Sequence, residues 1–290
     1  SDDPELRQIL AIARYQLRKF EAAAEEIKSL VTEHPEYVPA YETIASFSRS
    51  KPKLFSNDPE YWLEQCIRNN PESPNAYIVR GHYLVRSGKT EQGLADLNHA
   101  AEREIADTSV LLALGRAYFD ANMFEKARSS LEKVREKDPD NMSLWRLKAG
   151  VAFSDPAEGE LVGVARDGLD ALGPNAIMFL PTAGELYIRG GKLDKAEECI
   201  SRMREKEYNV ATAAFLEGLI AQKRNQVFEA IECWRRSLEL DSSNANVRIA
   251  IAQALANTGD TASAVTQLEQ VLNEQPRNQR AHMTLAEVAG

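Results

Sequence analysis

The sequence predicts an all-α solenoid, a row of antiparallel helix pairs stacked one after another. Three observations carry that prediction: apolar residues recur at helical spacing in segments one helix long, small residues recur at a fixed long period, and Pro and Gly punctuate the segment ends. Residues 111–141, LLALGRAYFDANMFEKARSSLEKVREKDPDN, display all three. Leu111, Leu114, Gly115 and Tyr118 stripe a first helix, and Phe124, Ala127, Leu131 and Val134 stripe a second. A lone hairpin of this kind cannot cover its own apolar faces, so similar units must stand beside it.

The long period is carried by Ala11, Ala45, Gly81, Gly115, Ala149, Gly184, Gly218, Ala252 and Ala286, which step by 34 residues with one step of 36 and one of 35. A second series, Ala23, Gly93, Ala127, Ala196, Ala230 and Ala264, lies 12 residues after members of the first. Helix axes approach to roughly 8–10 Å only where the crossing residues are small, so each helix of a pair needs one such position.

Taken in order, the first unit (4–37) pairs Ala11 with Ala23 and closes on Pro35. The second (38–73) has an irregular centre, RSKPKLFSNDPEYW, with Pro59 at the second small position and Pro71 at its end. The third (74–107) turns at Gly88, and the fourth (108–141) is the segment quoted above, closed by Pro139. The fifth (142–176) carries FSDPAEGELVG where a short turn is expected and ends near Pro174, while the sixth (177–210) turns at Gly191. The seventh (211–244) has Ser242 where a closing proline would stand, as the third has Ile105 and the sixth Tyr208. The eighth (245–278) turns at Gly259 and closes on Pro276, and 279–290 opens a ninth. Proline at these ends stops a helix without packing it, so its replacement is tolerable.

Small residue, aromatic, small residue and closing proline at this period resemble the tetratricopeptide repeat, with the best match at Leu114, Gly115, Tyr118, Phe124, Ala127 and Pro139. The resemblance covers nearly the whole chain as one solenoid over 1–290. It implies a right-handed superhelix whose first helices line a concave groove, and a non-catalytic scaffold that binds a polypeptide segment there. An alternative it leaves open is a docking or regulatory arm of an enzyme whose catalytic domain lies outside these residues. On the family's register the groove would carry His82, Arg86, Arg116, Phe119, Arg146, Phe153, Arg189, Phe215 and Lys223, opposed by Glu42, Asp120 and Glu185. Arginine forks and aromatic rings suit an acidic or carboxylate-bearing peptide; the same arginines also fit an ordinary solvated surface. The family's co-chaperone clamp is absent, since Gln8 and Ile12, Glu42 and Ser46, Ile78 and His82, and Leu112 and Arg116 stand at its places. The asparagine ladder of O-GlcNAc transferases is absent too, with Ile9, Thr43, Val79, Ala113, Leu147, Thr182, Leu216 and Ala250 there.

Composition limits the chemistry. The 290 residues hold 35 basic and 44 acidic side chains, a net charge of -9, which disfavours a nucleic-acid partner. No uncharged run is long enough to span a bilayer. Cys66, Cys199 and Cys233 form no CxxC pair, and the four histidines, His34, His82, His99 and His282, fit no metal or nucleophile motif, so neither cofactor nor metal is expected. Gly190-Gly191-Lys192 lacks the remaining residues of a phosphate loop and reads as the inter-helix turn. Free cysteines suit a reducing cytoplasm and also allow the bacterial periplasm or surface, and the general appearance of the sequence points to a bacterial source. The opening SDDPELRQ has no initiating Met, and the ninth unit ends after one helix bearing Met283, Leu285 and Val288, so a longer parent chain is expected.

Overall fold

The computed structural model describes residues 3–289 and contains seventeen α-helices among them. The chain divides into two compact units at Asp138 and Pro139. The first holds α1 (Pro4–Gln16), α2 (Phe20–Glu33), α3 (Val38–Ser50), α4 (Pro59–Asn69), α5 (Pro74–Arg86), α6 (Thr90–Ala101), α7 (Thr108–Asp120) and α8 (Phe124–Lys137). The second holds α9 (Met142–Ser154), α10 (Glu160–Leu172), α11 (Leu180–Arg189), α12 (Leu193–Glu205), α13 (Val210–Lys223), α14 (Val227–Leu240), α15 (Ala245–Asn257), α16 (Thr261–Glu274) and α17 (Gln279–Ala289). Odd-numbered helices up to α15 are the first members of pairs, and each packs on the even-numbered helix that follows, while α17 packs on α15 and α16.

The periodic small residues lie where the period demands. Ala11, Ala23, Ala127, Ala196, Ala230, Ala252 and Ala264 are fully buried, and Ala45 and Ala149 nearly so. Only Ala286, on α17, is exposed, because no partner helix follows it among the described residues. At the α5–α6 crossing backbone meets backbone: a Cβ on Gly93 would lie 2.6 Å from the Gly81 carbonyl oxygen, and one on Gly81 2.8 Å from the Gly93 carbonyl oxygen. At Gly115 the Cβ would instead meet Leu131 at 3.1 Å, one turn beyond Ala127. Between the small residues, large ones fill the core, including Trp145 and Trp234, which are 1% and 0% exposed. Both of these indoles satisfy their N–H on a backbone carbonyl, Trp145 on Pro139 at 2.7 Å and Trp234 on Phe215 at 3.1 Å, so their burial strands no donor, whereas the buried indole nitrogen of Trp62 has no hydrogen-bond partner among the described residues.

Turns inside the pairs share one backbone device. Arg18, Gly88, Asn122, Gly191, Asn225 and Gly259 all adopt positive φ, between 58° and 89°. In each case the next residue's N–H bonds the carbonyl five residues back, as Lys89 does to Leu84 and Met123 to Tyr118, which caps the first helix. Glycine was thus only half of the turn signal, with asparagine and one arginine filling the same place. Ends of units share another device: the side chain six residues after the closing proline reaches its carbonyl. Tyr41 bonds Pro35, Tyr77 bonds Pro71, Trp145 bonds Pro139 and His282 bonds Pro276 at 2.7–3.2 Å. Arg248 does the same to Ser242, where proline is missing.

The two irregular units keep their pairing. After α3 a 3-10 turn, Pro52–Leu54, and a buried Phe55 with Lys28 4.7 Å from its ring centre carry the chain to Asp58, which caps α4. Pro59 is the first residue of that helix, where a missing N–H costs nothing. After α10 a 3-10 segment, Gly173–Met178, takes the place of the expected first turn, so α11 begins at Leu180 and runs for 10 residues. Leu285 and Val288 of α17 pack against the core of α15 and α16, whereas Met283 is 58% exposed; position 290 lies outside the described residues.

These contacts separate two glycine substitutions that look alike in sequence. Gly93→Ala drives a methyl into the Gly81 carbonyl and into Val85 at 2.8–2.9 Å, and should cost about 1–3 kcal/mol. Gly163→Ala in α10 meets nothing within 4 Å, and should stabilise by about 0.5–1 kcal/mol through helix propensity. Urea unfolding followed by circular dichroism measures both; equal midpoints would contradict the close crossing.

Candidate interaction surface

In the first unit, α3, α5 and α7 lie side by side and share one face. The contact that fixes this is His82 Nε2 on α5, 2.7 Å from a carboxylate oxygen of Asp120 on α7. His82 and Arg86 stand one turn apart on α5, as do Arg116 and Asp120 on α7, so all four belong to that face. Between α3 and α5 the face dips into a pocket floored by Ala45, Leu63 and Val79, with His82 and Arg86 on its rim. Arg86 and Arg116 are exposed and have no ion-pair partner among the described residues. Phe119 turns partly inward, its ring 6.1 Å from Phe124, and offers less than an open aromatic surface.

Two residues of this face escaped the sequence reading. Arg49, at the twelfth place of the second unit, enters the same pocket, with its guanidinium carbon 5.9 Å from the centre of the Tyr83 ring. Arg49 was on the family register and could have been found; Tyr83 is off that register, and only the packing of α3 beside α5 reveals it. Tyr15, on the corresponding face of α1, is occupied, with its ring stacked 4.1 Å from Phe47 and its hydroxyl 2.6 Å from Ser50.

In the second unit the expected residues fall on α9, α11 and α13, and their states differ. Arg189 lies over the ring of Phe153 at 4.6 Å and also bonds Glu185 at 2.7 Å, so the pair is already engaged. Phe215 is half-buried against Trp234 with ring centres 6.5 Å apart. Arg146 and Lys223 are exposed with no charged partner among the described residues. A cleft on the other side, floored by α13 between α12 and α14, holds three arginines, but all are engaged: Arg204 and Arg236 on Glu217 at 2.7 and 3.4 Å, and Arg224 on Glu197 at 2.7 Å.

No cluster of three His, Cys, Asp or Glu residues suited to a metal occurs among the described residues, and no helix there is long and apolar enough to cross a membrane. Burial pushes the Cys66 thiol up to about 12 and that of Cys199 up to about 11.

The model of the tetratricopeptide repeat family matches residues 84–150 and 219–288. No protein of curated function matches the sequence. Among solved structures the fold is similar to a tetratricopeptide repeat protein from Parabacteroides merdae, with TM-score 0.52 and 14% identity over 88% of this chain and all of that one. It is also similar to yeast Tom70, with TM-score 0.58 and 17% identity over 94% of this chain and 58% of Tom70. A third is PilW, a type IV pilus biogenesis factor, with TM-score 0.50 and 13% identity over 70% of this chain and 92% of PilW. At these identities the likeness is one of fold.

A raised thiol pKa keeps the proton on sulfur at any pH well below it, and only the thiolate attacks an alkylating agent. Cys66 and Cys199 should therefore resist iodoacetamide at about pH 8 in the folded protein and react on unfolding in urea. Peptide mass spectrometry reads the result, and fast labelling of either in the native state would show that its helix opens.

Proposed function

We propose, from the premise that this chain is a tetratricopeptide-repeat protein, that it holds a segment of another polypeptide on its first helices and carries out no reaction of its own. The fold is that of a protein-interaction scaffold. The finer reading, that the first-helix face is the docking face, is supported chiefly by the pocket between α3 and α5. It joins an apolar floor of Ala45, Leu63 and Val79 to a polar rim that includes Ser46 and His82. A side chain entering it would lose apolar surface to water while its backbone stayed within reach of rim donors, the combination that anchors a peptide. Arg86, Arg116 and Phe119 in the first unit, and Arg146, Phe153, Arg189, Phe215 and Lys223 in the second, are the further contacts we assign to the two faces, with His82 as the pocket's edge.

A random peptide library displayed on phage, selected on the immobilised protein, tests the location. Ser46→Trp fills the pocket from its exposed rim, while Lys133→Trp places the same bulk on an exposed position of α8. Selected peptides should bind Ser46→Trp at least about tenfold more weakly, because a blocked anchor is a lost hot spot, and should bind Lys133→Trp as they bind the parent. Peptides indifferent to Ser46→Trp would move the docking face elsewhere.

A further inference from the structure

Arginine is used in two ways within the first unit. Of its eleven arginines, seven hold a carboxylate within 4.0 Å. Among the described residues the four without one are Arg18, in the turn after α1, and Arg49, Arg86 and Arg116. Three of the four therefore share the single face of α3, α5 and α7. The chain has 44 acidic side chains against 35 basic ones, so carboxylates are abundant, and pairing is the ordinary outcome for an arginine here. On this face it does not happen.

The two carboxylates nearest to hand leave that imbalance in place. Asp120 is held by His82 at 2.7 Å. Glu42 lies at the other end of the pocket, seven residues before Arg49 on α3 and so roughly 10 Å along the helix axis. Arg49 and Arg86 thus share one end of the pocket, with Tyr83 supporting the Arg49 guanidinium at 5.9 Å. Arg116 continues the set on α7, one turn before Asp120.

We infer that this face reads carboxylates: an acidic polypeptide segment lies across the ends of α3, α5 and α7, with side-chain carboxylates on Arg49, Arg86 and Arg116. This rests on the docking reading above and names the partner's chemistry. The guanidinium presents forked donors that match a carboxylate edge, and each such pair is weak when exposed, so several in series are needed to hold a ligand. Neighbouring helices stand roughly 10 Å apart, and a polyproline-II-like segment, with three residues per turn and a rise of about 3.1 Å per residue, covers that distance in about three residues and returns its side chain to the same side. An acidic residue at every third place therefore fits the three arginines. A short segment with few charges also suits a chain of net charge -9, since long-range repulsion grows with the charge of the ligand while the local gain stops at three pairs. A nucleic acid carries a charge on every nucleotide and gains from stacking, yet here Tyr83 is covered by Arg49 and Phe119 faces Phe124.

The test is an NMR titration of the full chain read at the arginine side-chain Nε–H signals. The probe is a nonapeptide capped at both ends, with Glu at its first, fourth and seventh places. Three comparison ligands are the same peptide with Gln for Glu, the Gln peptide with a free C-terminal carboxylate, and a short oligodeoxythymidylate. The Glu peptide should shift the signals of Arg49, Arg86 and Arg116, and its affinity should fall several-fold between about 25 and 250 mM salt. Arg86→Gln with Arg116→Gln should weaken it at least about tenfold, with helical circular dichroism unchanged. Lys133→Gln with Arg202→Gln removes the same charge from second helices and should change affinity by less than about twofold. The inference fails if the three arginine signals do not move, if the control pair loses as much as the face pair, or if the neutral capped peptide or the oligonucleotide binds as well. Binding by the Gln peptide with a free C-terminus alone would assign the site to a terminal carboxylate and overturn the side-chain version. Phage-selected peptides that need the pocket but lack acidic residues would leave the docking reading standing and sink this one.

Discussion

Everything in this chain depends on how closely two helices can approach at one small residue each. At the α5–α6 crossing the backbone oxygen of Gly81 lies where the Cβ of residue 93 would be, 2.6 Å away. Nothing but glycine permits that distance without a shift. A close crossing fixes the angle of the pair, and the fixed angle presents the large residues on either side of it, such as Leu97 beside Gly81, to the next element. Because the requirement returns with each pair, it returns in the sequence at the length of a pair.

That is why the fold is legible in the residues. A constraint that acts locally and repeats leaves a period, and a period can be read without knowing any contact. The parts that resisted reading are those where different chemistries satisfy one geometry. The left-handed turn accepts Gly88, Asn122 and Arg18 alike, since what the backbone requires is a positive φ and a capping hydrogen bond. The proline carbonyl at a unit's end accepts a bond from tyrosine, tryptophan or histidine, since all carry a donor at the right reach. Letter-by-letter comparison sees three residues where the structure sees one role. The displaced start of α11 is a separate matter: a 3-10 segment over Gly173–Met178 stands in for the first turn, and no period marks it.

The candidate surface is legible to a different depth. Position along the repeat places His82, Arg86 and Arg116 on one face because helical phase is preserved from unit to unit. It says nothing of what each side chain does there. Arg189 and Arg116 look equivalent in sequence, yet the first is spent on Glu185 and the Phe153 ring while the second has no partner among the described residues. Glu185 precedes Arg189 by one turn and pairs with it, whereas Leu112 precedes Arg116 and the carboxylate one turn after it, Asp120, is held by His82. Aromatic residues differ in the same way, since Phe119 and Phe215 lie on the register with their rings beside Phe124 and Trp234.

The pairing of charges separates the two sides of the first unit in physical terms. An arginine paired within the fold, such as Arg80 forked onto the nearly buried Asp96 at 2.7 Å, ties a first helix to its second and must surrender that contact before it can hold anything else. An unpaired arginine on the surface gives up only water. Binding on the paired side therefore has to be repaid against an existing bond, and binding on the face of α3, α5 and α7 does not. The same reasoning applies to the cleft floored by α13, where three arginines and their glutamates are already matched. Cationic composition marks both places, but the arginines of the cleft are matched within the fold and Arg49, Arg86 and Arg116 are not, among the described residues.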